Sequence, residues 1–425
     1  MVKCIKSLII VCFLPTYLVA QQTSSITLEQ AYEQARQNYP AIKQKGLVKQ
    51  TASLNIDNLS KANLPQLQLN GQASYQSDVT RINIPIPGMT VPALAKDQYK
   101  FTADLSQTIF DGGTVKAQKD WQTLNAFVED GKVEVELYQL KERINQLFLG
   151  VLYLDEQLKQ VELIRDDLQN GIKTVNAQVS NGVAFRSNLN LLKAELLRVD
   201  QRSIELTASR IGMINALGLF MNRSLPETVV FEKPADPVTV FSGNEVQRPE
   251  LKLYDGQVRL FAQQNKLVNA KNLPKFSAFA QGGYGRPGLN FLDNSFDLYY
   301  VAGVRMNWSL GGLYTKKKEK KLVDVSQQQV ALQKETFLLN TNVRLTQEQA
   351  DIDKLKKLVE TDQEIIALRT SVKEAAKAQL DNGVITTTNY LEEVNAEDQA
   401  RQLMITHQLQ WLQAKINYQT ILGKQ

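Results

Sequence analysis

The chain has 425 residues, with 49 Lys and Arg against 44 Asp and Glu, and 43% of it is hydrophobic. A net charge of +5 over that length gives no reason to expect nucleic acid as a partner. Both cysteines, Cys4 and Cys12, lie before Ala20, so a chain cut there is left without disulfide or thiolate chemistry.

Residues 1–20 read as a secretory signal peptide. Lys3 and Lys6 make a basic start, Leu8 to Val19 an apolar run, and Ala20 a small residue at the cut. The run is short for a membrane anchor and contains Pro15, and Val11 ahead of Cys12 argues against a lipoprotein. Removing Lys3 and Lys6 leaves 47 basic residues against 44 acidic ones, a net +3. No other run reaches the length of a spanning helix, so an exported chain of this kind enters a bilayer only by strands.

A first repeat occupies 21–220. A helix is expected from the capping-box-like Thr27-Leu28-Glu29-Gln30, broken at Pro40 and stopped by Leu64-Pro65. Residues 66–76 then alternate without error, with Leu67, Leu69, Gly71, Ala73 and Tyr75 on one face and polar side chains on the other. After a loop holding Pro85, Pro87 and Pro92, residues 99–109 alternate again. A long helix follows over 113–180. Its apolar residues from Leu137 to Val179 step by threes and fours, averaging about 3.5 residues, the period of a coiled-coil seam. Such a helix is about 100 Å long, so its partners must be helices of comparable length. Asn181-Gly182 ends it, and a returning helix covers 187–218.

A linker over 221–244 with Pro226, Pro234 and Pro237 leads to a second repeat over 245–425. Pro40 is matched by Pro249, Leu64-Pro65 by Leu273-Pro274, Gly112-Gly113 by Gly311-Gly312, and Asn181-Gly182-Val183 by Asn382-Gly383-Val384. Strands are expected over 276–284 and 298–308, a long helix over 313–381 and a returning helix over 386–422. Tandem duplication accounts for the order.

Strands of this length and alternation suit a tilted bilayer crossing, and suit a soluble amphipathic hairpin equally. The signal peptide and the aromatics Tyr75, Tyr284, Tyr300 and Trp308, at positions suited to interface girdles, favour the bilayer. Four strands cannot close a barrel and open edges do not persist in lipid, so several chains must pool them; twelve from three chains leave a channel. Helices flank each strand pair on the same side and would extend the pore into the periplasm. The fold class is therefore mainly α with membrane β: long coiled-coil helices plus four strands per chain, internally duplicated.

This order resembles the outer-membrane efflux proteins, the TolC-like channels, over essentially the whole chain after residue 20. The resemblance implies a homotrimer with a twelve-stranded barrel in the outer membrane of a Gram-negative-type bacterium and a helical periplasmic tunnel. It also implies an equatorial part formed by Leu225 to Asn244 with the terminal segments, a periplasmic adaptor and an inner-membrane transporter as partners, no cofactor and no catalysis. The implied function is a passive exit duct for small-molecule efflux. The alternatives are the duct of a type I protein secretion system and, from another class, a soluble periplasmic coiled-coil adaptor.

Gly182, Val183, Gly383 and Val384 match the family's periplasmic tips, where its adaptor docks; a glycine there is also a helix C-cap in its own right. Aligned on these glycines, the family's gate residues fall on Ser187, Asn188, Asn389 and Glu392, of which only Glu392 keeps a carboxylate. Its tyrosine and arginine fall on Leu380 and Ile385, so that latch is absent. Glu392 reads either as a ring of charge in a trimer or as a solvated glutamate beside Glu393. Lys316 to Lys321 reads as a solvated helical turn or as a contact to inner-leaflet phosphates. His407, with no second His and no Cys beyond residue 20, points to no metal, and no nucleophile–base arrangement occurs.

Overall fold

The computed structural model describes residues 25–80, 93–235, 245–290 and 292–424. The signal segment, the loop of Pro85 to Pro92 and the part of the linker from 236 to 244 lie outside them. In chain order the elements are β1 (Ser25–Ile26), α1 (Leu28–Asn38), α2 (Ile42–Lys61), β2 (Gln66–Tyr75), β3 (Asp97–Phe110), α3 (Thr114–Ser180), α4 (Arg186–Met221), β4 (Val230–Phe231), α5 (Pro249–Lys271), β5 (Lys275–Arg286), β6 (Asp297–Asn307), α6 (Gly312–Asp381) and α7 (Thr387–Leu422). No helix among the described residues is long and apolar enough to cross a membrane.

Local chemistry sets the boundaries. Thr27 and Gln30 form a reciprocal capping box: each backbone N–H donates to the other's side-chain oxygen at 3.2 Å. Pro40 lacks the N–H that would continue α1, and α2 restarts two residues later. Pro249 sits at the start of α5, where its missing donor costs nothing.

The described residues fall into two compact units, and α1, α3, α6 and α7 contribute to both. One draws on the described residues within 36–143, 245–361 and 410–424 and contains a four-stranded antiparallel sheet in the order β2-β3-β5-β6. The two repeats thus join through β3 and β5. Register gathers most of the apolar strand residues on one face, while Phe279, Tyr299 and Val301 lie on the other. Leu67 lies beside Leu105, Ala280 and Ala302 in one row, Leu69 beside Ala103, Gly282 and Tyr300 in the next, and Gly71 beside Phe101, Tyr284 and Leu298 in the third. That face has no cover: Leu67 is 67% exposed and Leu298 and Tyr300 are each 83% exposed. The opposite face is hydrogen-bonded, with Asp104 accepting from Asn70 at 2.7 Å, from Thr102 at 3.0 Å and from Gln281. A bulge between Thr108 and Phe110 shifts the β3–β5 register at its end.

Trp308 departs from expectation. β6 ends one residue before it, and its indole N–H donates to the Asn272 carbonyl at 3.2 Å, since a half-buried indole needs an acceptor that the continuing strand would not supply.

The other unit draws on the described residues 25–35, 144–235 and 362–409. Its core combines four helices: Val161, Ile164, Leu168 and Val175 of α3, Leu189, Leu192 and Val199 of α4, Ala376 and Leu380 of α6, and Tyr390 and Val394 of α7. In the same unit β1 pairs in parallel with β4, and Phe231 meets Phe148 edge-on at 5.0 Å between centroids. Arg210 holds this segment by donating to the Val229 carbonyl at 2.9 Å.

Candidate functional site: two helix turns and the bundle behind them

Both long helices end in the same hydrogen-bonded turn. The Gly182 N–H donates to Val179 O at 3.1 Å and the Val183 N–H to Gln178 O at 2.8 Å. The second turn repeats this, from Gly383 to Leu380 O at 3.0 Å and from Val384 to Gln379 O at 2.8 Å. These are Schellman caps, and the φ values of +74° at Gly182 and +72° at Gly383 are the left-handed backbone such a cap requires.

The cap explains the glycines but not the valines. A Schellman turn commonly folds its following apolar residue back onto the helix. Here Val183 is 73% exposed and Val384 71%. Phe185, beside the first turn, is 81% exposed and stands at the N-cap of α4 with no side-chain hydrogen bond to the helix. At the matching place in the second repeat Thr386 accepts from the Asn389 N–H at 3.3 Å, an ordinary cap. Helical periodicity gives no weight to Phe185; the absence of Ser, Thr, Asp or Asn ahead of α4 is the signal that marks it.

Ser187 is exposed and Asn188 half-buried on the first turn of α4. Asn389 lies in the first turn of α7 and is engaged with Thr386 on both backbone and side chain. Glu392 is exposed, with no ion pair among the described residues, whereas Glu393 pairs with Arg369 at 3.5 Å. Leu380 is buried and Ile385 packs against the four-helix core. The two turns share a tie: the Gln178 side-chain amide donates to Leu380 O at 3.4 Å.

Behind the turns lies a polar layer that the sequence does not advertise. Lys373 of α6 pairs with Asp167 of α3 at 2.8 Å and with Glu397 of α7 at 2.6 Å. Arg401 reaches Glu397 at 2.6 Å, and the Thr370 hydroxyl donates to the same carboxylate at 2.8 Å. Burial works to raise the Glu397 pKa, but hydrogen bonds from Lys373, Arg401 and Thr370 outweigh it and hold the carboxyl below its ordinary range. Burial likewise works to lower the Lys373 pKa, and its bonds to Asp167 and Glu397 reverse that, holding it above the usual lysine value. Nearby, Arg202 of α4 pairs with Asp398 of α7 at 3.1 Å, and His407 meets Asp362 at 2.6 Å. Among the described residues no three His, Cys, Asp or Glu converge as a metal site. The arrangement is built to hold helix ends together and to present an apolar tip.

The family model described as outer membrane efflux protein matches residues 31–222. Over those residues the chain is similar to the outer membrane efflux proteins. The match ends one residue past α4, and the structural likeness continues beyond it. The outer membrane protein VceC from Vibrio cholerae superposes with a TM-score of 0.67 at 15% identity, covering 93% of this chain and 96% of that one. The open state of the Neisseria gonorrhoeae MtrE outer membrane channel gives 0.66 at 15% identity over 93% and 89%. CusC gives 0.68 at 14% identity over 94% and 92%. At such identities these neighbours carry the fold alone. Among curated proteins none matches the chain in sequence. The outer membrane efflux family is one of channels.

Proposed function

We propose that this chain is one of three subunits of a passive exit duct for small molecules in the outer membrane, coupled to a periplasmic adaptor and an energised inner-membrane transporter. The observation that carries the reading is the sheet. It has only four strands, no described partner for the outer edges of β2 and β6, and an apolar face left bare over three full rows. An edge and a face of that kind are unsustainable in water and in lipid alike unless further strands close the ring and lipid covers the face. Three copies supply twelve strands, enough for an aqueous lumen. A second support is Val325, Leu332 and Leu339 of α6, exposed at heptad spacing as a seam for a neighbouring helix. The soluble-adaptor reading would leave the bare sheet face unexplained. The detergent-extracted protein is expected to behave as three chains by light scattering and to form conducting pores in planar bilayers; a monomer that needs no detergent would overturn the reading.

Within that duct Gly182, Val183, Gly383, Val384 and Phe185 form the adaptor-docking tips. Ser187, Asn188, Asn389 and Glu392 line the periplasmic constriction, with three Glu392 carboxylates facing one another. Such a ring favours cations. Glu392→Gln is therefore expected to lower single-channel cation selectivity without changing trimer stability, and unchanged reversal potentials would remove Glu392 from the constriction.

A further inference from the structure

One end of the sheet carries a concentration of positive charge that the fold does not use. Antiparallel register puts all four strand–helix junctions on this rim: Gln66 lies beside Ser106, Thr108 beside Ser277, and Lys275 beside Asn307. Lys316, Lys317, Lys318, Lys320 and Lys321 stand in the first turns of α6. The other junctions add Lys116 and Lys119 of α3, Lys271 at the end of α5 and Lys275 at the start of β5.

None of these nine lysines has an ion pair among the described residues, and three of the nearby acids are engaged elsewhere. Asp111 caps α3, accepting from the Gly113 and Val115 N–H groups at 2.8 and 2.6 Å. Glu319 accepts from the Thr315 hydroxyl at 2.6 Å, and Asp120 from Gln263 at 3.4 Å. Five lysines at a helix N-terminus oppose the helix dipole, and Lys316 with Lys320, or Lys317 with Lys321, repel at one-turn spacing. Folding would favour carboxylates there. The opposite rim differs in sign: its described residues include Asp78, Asp97, Asp293 and Asp297 against Lys96 and Arg286, the last paired with Asp97.

Aromatic side chains mark the same rim as an interface. Phe110 and Phe276 lie 6.3 Å apart, and Trp308 stands where β6 gives way to α6. The bare apolar face runs directly into it.

We propose that this lysine collar binds the phosphate groups of anionic phospholipids in the leaflet on the helical side of the membrane. The proposal rests on the lipid-facing reading of the sheet. Cations just beyond an apolar belt meet headgroup phosphates at the depth where a negative surface potential is strongest.

The test uses the full chain, purified from mixed micelles holding phosphatidylcholine and phosphatidylglycerol in equal amounts, with co-purifying lipid quantified by mass spectrometry. Wild type is expected to enrich phosphatidylglycerol about tenfold. The variant with Gln at positions 316, 317, 318, 320 and 321 should retain both lipids near the ratio of the mixture, and the corresponding Arg variant should keep the enrichment. A wild type without enrichment, a Gln variant that keeps it, or an Arg variant that loses it would each overturn the collar. If no lipid of either kind co-purifies, the lipid-facing reading of the sheet itself has failed, and the collar with it.

Discussion

Gly383→Trp is expected to abolish export while the subunits still assemble. Two effects must be separated, because any side chain at Gly383 disturbs the cap. A non-glycine residue in the left-handed region costs about 1–2 kcal/mol, and alanine incurs that cost as fully as tryptophan does. Space is not the difference, since nothing lies within 4 Å of where a Cβ would stand. Gly383→Ala therefore measures the cap, and the gap between Ala and Trp measures what must approach the tip from outside. If docking is the tip's role, Gly383→Ala keeps substantial export of a fluorescent substrate from cells, and Gly383→Trp loses it together with crosslinking to the adaptor. Equal export by the two variants would confine Gly383 to capping. Phe185 gives the converse: serine in its place supplies the missing N-cap, worth about 1 kcal/mol, so Phe185→Ser should stabilise the start of α4 while weakening adaptor crosslinking. A single change that moves stability and function in opposite directions is the mark of a residue retained for contact rather than for folding.

The legible parts of this molecule are those governed by local periodicity. The seam of α3 could be read from Leu137 to Val179 because a repeat near 3.5 has one structural meaning at that length; residues such as Ile144, Val151, Val161 and Leu168 are fully or nearly fully buried. Strand alternation likewise fixed which residues share a face. It could not say that β3 lies against β5, because a pattern of period two names a face and not a neighbour. Alternation also continues one residue past the end of β6, to Trp308, where the indole N–H turns to Asn272. The polar layer was invisible because Lys373 and Glu397 look like any solvated helix charges until three helices converge on them. Phe185 stayed hidden because its meaning lies in a cap it fails to provide.

That polar layer supports the second large expectation: Glu397→Leu should loosen the paired tips. Glu397 is the buried common acceptor for Lys373, Arg401 and Thr370, and removing it leaves the half-buried Arg401 with no carboxylate partner. Breaking a buried pair from one side costs about 3–5 kcal/mol, and the lower end applies because Lys373 keeps Asp167. About 3 kcal/mol corresponds to roughly a hundredfold faster amide exchange in the segment from Leu380 to Tyr390 if it opens through this layer. Adding Arg401→Met should recover part of the loss, since an apolar pair replaces an unmatched charge, and the double-mutant cycle then reads the coupling. The pH dependence follows from the two shifts. Glu397 is held below its usual 4.5, so its contribution is complete above that value and is lost as pH falls through the lower folded value. Lys373 is held above its usual 10.5, so its contribution is complete below that value and is lost as pH rises through the higher one. Exchange at the tips should therefore be insensitive to this layer between about pH 5 and pH 10 and rise on either side. An exchange rate that Glu397→Leu leaves within threefold of wild type would mean that the core of Leu168, Leu192, Leu380 and Tyr390 closes the tips unaided, and that the ion network merely occupies space beside it.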